Sequence, residues 1–339
     1  MRSALEYEPW ELGYQPGMPD TIEEQLTKHL TDIHSIEVQA LLQMRVAPRM
    51  ARDPQLARAF REHIAETEEQ ERLVRERLAA RAADPSRLKD AAGRAGGIGM
   101  VVFARTQPDT PGKLVAHAYS YEHMELAAYE LLALVAERAG DAETAAVARS
   151  IREQEAAMAE RLAAGFDRAV EASLRELSAD DLGRQLGKYL ADAFAIESQA
   201  LQLLQQAVAV SGEPDLRKVF SDHLEETRSQ QAAVRARIEA RGERPSRFKS
   251  ALLRVGGVNL GVFFGVQPDT PAKLAGFAFA FEHLEIAAYE QLLRVAQRAG
   301  DEETARIAER IAGEERAAAA AIRARFEAAV DASVPTGLR

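Results

Sequence analysis

Apolar side chains recur at intervals of three and four along most of this chain, and no segment alternates convincingly with a period of two. That pattern predicts helices and no sheet. One stripe reads Leu26, Leu30, Ile33, Glu37, Leu41, Met44, and a second reads Leu56, Phe60, His63, Thr67, Gln70, Val74. A third reads Ala118, Glu122, Glu125, Tyr129, Leu132, and a fourth Ala148, Ile151, Glu155, Met158, Leu162, Phe166. Capping residues bound these stripes. Asp20 can cap a helix running to about Pro48, and Asp53-Pro54 starts the next. Pro85-Ser86 opens a shorter segment containing Gly96-Gly97. Thr110-Pro111 opens a long helix that stops at Gly140, and Asp141 caps a last one reaching about Ser173.

The same signals return at Glu213-Pro214, Pro245-Ser246, Thr270-Pro271 and Gly300-Asp301. With one constant offset of 160, Glu37 falls on Glu197, His63 on His223, Glu66 on Glu226, Glu122 on Glu282, Glu125 on Glu285 and Glu155 on Glu315. The chain is a tandem repeat, and what both copies keep is less prone to be accidental. The expected division is an N-terminal extension, 1–19, followed by units at 20–174 and 178–333. Each unit carries four long helices with a crossover of roughly thirty residues between the second and third, far beyond the ~2–8 residues of an ordinary bundle turn. One long crossover in a four-helix bundle is the ferritin-like topology. The expected fold class is therefore all-α: two tandem ferritin-like four-helix bundles. The short link near Glu176–Ser178 keeps the two units close, as an intramolecular pseudo-twofold pair, with higher assembly left open.

Composition narrows the function. A net charge of −10 argues against nucleic acid as a main partner, since phosphate contacts need a basic face. The absence of cysteine removes disulfides, thiolate nucleophiles and iron–sulfur clusters. The first residues lack an apolar core long enough for a secretory signal, and the longest apolar stretches, 96–104 and 255–266, fall short of the ~20 residues of a spanning helix. A soluble, cytoplasmic protein is expected. The crossover motifs Gly96-Gly97 with Val102-Phe103, and Gly256-Gly257 with Val262-Phe263, read as apolar cover over the bundles or between them.

The carboxylates carry the chemistry. An ionised glutamate in an apolar stripe is costly unless it is paired or bound to metal. Here every helix of both units carries one. Carboxylates and imidazole suit iron or manganese, and carboxylates can bridge two ions. The candidate ligands are Glu37, His63, Glu66, Glu122, Glu125 and Glu155, with Glu197, His223, Glu226, Glu282, Glu285 and Glu315 in the second unit. Five glutamates bring −5 against +4 for two divalent ions, close to neutral as a buried site should be. The competing reading is a metal-free network of Glu–His and Glu–Arg bonds. His29, His34 and His117 are replaced by Tyr189, Phe194 and Phe277, which reads as packing. His123 and His283 point ~100° away from their neighbours Glu122 and Glu282, so a supporting role or an interhelical bond suits them better than ligation.

These motifs resemble a known family. His63-Ile-Ala-Glu66-Thr67, Glu122-His123-Met-Glu125-Leu-Ala-Ala-Tyr129 and Gln154-Glu155, with their copies in the second unit, are similar to signatures of the YciF-like stress proteins of the ferritin-like superfamily. The resemblance covers both units. It implies a ferritin-like bundle with a di-metal centre and a role in stress response; Tyr129, Tyr289, His123 and His283 are expected as supporting residues around the ligands. The paired Glu122/Glu125 also resembles rubrerythrins. Two features depart from the general di-iron pattern: helix 2 reads His-x-x-Glu, and Met158 and Ala318 stand where helix 4 would carry a histidine.

Three functions stay open: a di-iron oxidoreductase oxidising ferrous iron or reducing O2 or peroxide, a non-catalytic structural or metal-binding stress protein, and a storage cage. The ligand count predicts about two ions per unit, hence about four per chain. Elemental analysis after anaerobic ferrous loading tests this, and fewer than one ion per chain would contradict it.

Overall fold

In the computed structural model, residues 21–86, 110–175, 177–243 and 270–333 are described. Their regular structure is helical throughout, without strands, and falls into two repeats. The first repeat comprises α1 (Ile22–Met44), α2 (Ala47–Met50), α3 (Pro54–Ala80), α4 (Thr110–Arg138), α5 (Ala142–Ala163) and α6 (Phe166–Leu174). The second comprises α7 (Ala179–Val210), α8 (Pro214–Ala240), α9 (Thr270–Arg298), α10 (Glu302–Arg323) and α11 (Phe326–Ser333). In each repeat the four long helices pack as a ring: the first against the second and third, and the fourth against the same two. The N-terminal extension with Trp10 and the crossover glycine and Val-Phe motifs lie outside the described residues.

The helix ends follow their sequence signals. Asp53 accepts from the backbone N–H of Gln55 and Leu56 at 2.9 Å, with Pro54 in the first turn where its missing N–H costs nothing. Ser178 and Asp181 form a reciprocal capping box at the start of α7. Gly140 closes α4 at φ +70° and Gly300 closes α9 at φ +68°, the left-handed conformation that glycine enters without a Cβ clash. At the start of α1 the cap is Thr21, whose side chain accepts from Glu24 N–H at 3.1 Å; Asp20 lies outside the described residues.

Two boundaries differ from expectation. The first long helix stops at Met44, and Pro48 sits inside the short α2 instead of ending α1. The fourth helix is broken into α5 and α6, as its copy is into α10 and α11. Glycine does not cause the break, because Gly165 becomes Arg325 in the copy. What both breaks share is a buried phenylalanine just beyond them. Phe166 meets Tyr119 edge-on at 5.2 Å, and Phe326 meets Phe279 at 5.6 Å. The bend delivers these rings to the contact between repeats.

That contact is built mainly by α4 against α9. His123 and His283 stack at 3.5 Å with 15° between their planes. Around them the contacts exchange in pairs, as a self-complementary interface requires. Tyr119 lies 5.8 Å from His283 and Phe279 lies 5.8 Å from His123. Lys113 pairs with Asp192 at 3.0 Å, and Lys273 with Asp32. A Cβ added at Gly276 would stand 3.2 Å from Leu131 Cδ1, so the small residue sets how closely the two helices approach.

Asp301 caps α10 through Thr304 N–H at 3.0 Å and also receives Arg237 at 2.6 Å and Arg241 at 2.9 Å. Burial alone would raise its carboxyl, but these bonds hold it down at about 2. A depressed carboxyl stabilises the fold above its unfolded pKa and stops doing so as pH falls through the folded value. Asp301→Ala should therefore cost about 2 kcal/mol at pH 7, from the lost cap and the stranded arginines. That penalty should shrink as pH drops below 4, which denaturant melts at several pH values measure.

Candidate metal centre

The site is assembled around one imidazole per repeat. His63 stands on α3, whose 3.6-residue turn puts Glu66 beside it, and Nδ1 donates to Glu66 Oε2 at 2.8 Å. The other ring nitrogen then faces the bundle interior, where Nε2 lies 3.1 Å from Glu122 Oε2 on α4 and 3.4 Å from Glu155 Oε2 on α5. In the second repeat His223 Nδ1 is 3.2 Å from Glu226, while Nε2 is 2.9 Å from Glu282 and 3.3 Å from Glu315. Each of His63, Glu122, Glu125 and Glu155 offers an atom within 4.8 Å of the others, and so does each of His223, Glu282, Glu285 and Glu315. All eight side chains are buried.

Glu37, on α1, is close enough for His63 and Glu122 to act on its charge but stands outside the four that converge. Its Oε1 accepts the hydroxyl of Tyr129, while Oε2 has no hydrogen-bond partner. Tyr289 donates to Glu197 in the same way. Both carboxylate oxygens of Glu122, Glu125 and Glu155 are buried without an aligned hydrogen bond, although Glu122 and Glu155 lie within charge-contact range of His63. Glu285 and Glu315 repeat this. A folded protein rarely leaves so many buried acceptors unmet. Oxygen-rich donors with one imidazole, converging and unsatisfied, fit a hard or borderline divalent cation.

The electrostatics report the same crowding. Burial pushes the Glu37 carboxyl up to about 8, against the opposing bond from Tyr129. Burial and then the neighbouring carboxylates hold Glu125 well above the usual range. Glu155 is likewise raised well above it by burial, despite its contact with His63. Burial alone would lower His63, but the carboxylates of Glu122 and Glu155 override it and drive the imidazole up to about 12.

The remaining predicted residues take different places. Glu66 and Glu226 stay at the rim, 35% and 42% exposed, and hold the outer nitrogen of the histidine instead of entering the inner group. Tyr129 and Tyr289 support Glu37 and Glu197 as hydrogen-bond donors. His123 and His283 face the seam, their Nδ1 atoms donating 2.7 Å to the Tyr119 and Phe279 carbonyls one turn back. Burial pushes them down to about 4 and about 3, so both rings are neutral. Of the unrepeated histidines, His34 pairs with Glu71 at 2.9 Å, and His29 is buried in α1. Arg161, which donates to Glu66 at 2.9 Å, was not visible as a site residue because its counterpart is Ala321.

Residues 21–175 and again 183–334 match the family described as Domain of unknown function (DUF892). The chain belongs to this family. It carries the DUF892 domain twice, consistent with a tandem duplication, and the paired clusters are one per DUF892 domain. No solved structure matches the chain. Among the described residues no helix is long and apolar enough to cross a membrane.

In the metal-free protein the raised groups keep protons that the unfolded chain releases. Their stabilising effect is complete below about pH 4.5 and is lost as pH climbs toward 8, where Glu37 and Glu197 ionise inside the fold. The melting temperature of metal-free protein should fall between pH 5 and pH 8. Glu37→Gln combined with Glu197→Gln should flatten that slope, and added divalent cation, which needs the ionised carboxylates, should reverse it. Melts in chelator and in Mn2+ across this range are the measurement; a metal-free Tm that rises with pH contradicts the assignment.

Proposed function

We propose that each repeat, 20–174 and 178–333, is a ferritin-like bundle holding a di-metal centre of iron or manganese. On this reading the chain is a YciF-like stress protein that oxidises ferrous iron or reduces O2 or peroxide. The observation that carries it is the set of buried carboxylate oxygens without aligned hydrogen bonds around His63 Nε2, met again around His223. His63, Glu122, Glu125 and Glu155 would hold one ion, and Glu37, with its open Oε2, would help hold a second. Iron bound by these residues would supply the electrons for reducing a small oxidant. With no cysteine in the chain, ferrous ions themselves or an external reductant are the electron source.

The protein side of the chemistry follows from the residues. Glu37, Glu125 and Glu155 hold protons in the empty site and release them as cations arrive, so charge stays balanced inside the bundle. Tyr129 fixes the rotamer of Glu37 through its hydroxyl, leaving the second oxygen free to bind. Glu66 anchors His63 Nδ1, so that Nε2 faces inward. The two repeats act as an intramolecular pair in the cytoplasm.

One observation favours a second reading, a non-catalytic structural bundle. A protonated His63 between Glu122 and Glu155 is already a partly neutralised buried ion cluster. The two readings separate on Glu37→Ala. As a metal site, the substitution strongly weakens cation binding in the first repeat and leaves the second intact, and adding Glu197→Ala removes oxidation of ferrous iron altogether. The metal-free double variant is then as stable as wild type or more so, because buried carboxylates have been deleted. As a structural network, it instead loses roughly 1–3 kcal/mol for the stranded partners. Thermal melts of both proteins with and without ferrous iron, beside an oxidation assay, decide. Identical melts with and without iron would leave the structural bundle standing.

A further inference from the structure

The two carboxylate sets are alike inside and different at the rim. Glu66 and Glu226 are the members of each set that reach solvent, so a cation arriving from solution meets them first. In the first repeat Arg161 Nη2 donates to Glu66 Oε2 at 2.9 Å, the same oxygen that His63 Nδ1 holds at 2.8 Å. In the second repeat Ala321 stands at that position, exposed. Among the described residues, Glu226 is held by His223 Nδ1 alone, at 3.2 Å.

Charges further back do not offset this difference. Each site has one such carboxylate within reach, Glu71 acting on Glu37 and Glu314 on Glu197, and each is paired with an arginine, Glu71 with Arg75 and Glu314 with Arg310 at 2.6 Å. The inner residues are identical in kind: one histidine and the same glutamates. The Arg161 guanidinium is the difference that touches the rim carboxylate directly.

Building on the metal-centre reading above, we propose that Arg161 is a positioning residue that makes the two centres unequal, so that a divalent cation fills the second repeat first and the first repeat later and more weakly. Two effects act in the same direction. A fixed positive charge at the rim opposes an incoming dication. Glu66 must also give up a charge-assisted bond before it can swing toward a cation, whereas Glu226 gives up nothing comparable. Arg161 is 36% exposed, so solvent screens it, and the difference in affinity is on the order of tenfold at low ionic strength, shrinking with added salt.

The test is calorimetric titration of the metal-free full chain with Mn2+, which binds without being oxidised by air on this timescale. Wild type should show two classes of site in equal number, separated about tenfold and converging at high salt. Arg161→Ala should merge them by strengthening the weak class. Arg161→Lys, keeping the charge but not the fork, should retain part of the separation, which a merely structural arginine would not predict. Ala321→Arg should merge the classes from the other side by weakening the strong one. Glu197→Ala should leave only the weak class, assigning the strong one to the second repeat. A single class in wild type, or two classes untouched by Arg161→Ala, overturns the proposal and leaves the metal centre standing. No Mn2+ binding in any of these proteins overturns the metal centre itself, and the proposal with it.

Discussion

A carboxylate taken out of water without a partner is among the costliest groups a fold can bury, and this protein buries several around each of two imidazoles. Glu122, Glu125 and Glu155 leave both oxygens without aligned hydrogen bonds, and one protonated His63 cannot balance them. Something has to neutralise that charge: protons in the empty state, or cations in the filled one. The raised carboxyls are the first answer, and the ring of four helices holding them in place makes the second available. The surrounding stripes of Leu26, Ile33, Phe60, Ile151 and Leu162 keep water away and so maintain the demand.

The helices that supply the inner glutamates also join the repeats. On α4, Glu122 points into the bundle and His123, the next residue, points into the seam where it stacks on His283. A step of ~100° per residue lets one helix serve both surfaces. Each site is thereby one residue away from the contact with the other repeat. The neutral state of the stacked histidines suits that position, since a charged pair 3.5 Å apart would repel. The bend between α5 and α6 serves the same seam by bringing Phe166 against Tyr119.

Much of this was legible along the chain. All the residues named in the second, third and fourth stripes are buried, and the caps at Asp53, Asp141 and Asp301 stand where the local signals put them. The inner four residues of each site could be read because they lie on apolar faces and because the two repeats agree. Comparison of repeats is blind, however, to whatever only one copy has. Arg161 was missed for that reason, and so was the pairing of Gln230 with Glu314 where the first repeat pairs Gln70 with Gln154. Glu66 lies one turn from His63, as the spacing predicts, and sits at the rim, since neighbours on a helix can share a partner without sharing a depth.

Periodicity, caps and duplication are local properties, so the sequence alone determined the helices, their faces and the presence of two similar units. It also determined which glutamates lie in the apolar stripes, because a helix fixes the angle of every side chain about its axis. Which ends of those side chains meet is a matter of how far each helix slides and tilts against the next, and only packing sets that. The tertiary structure therefore decided that His63 turns Nδ1 outward to Glu66 and Nε2 inward to Glu122 and Glu155. It decided that Glu37 is held by Tyr129, from a helix 92 residues further on. And it decided that one arginine, unremarked in the sequence, lies against the rim of one site and not the other.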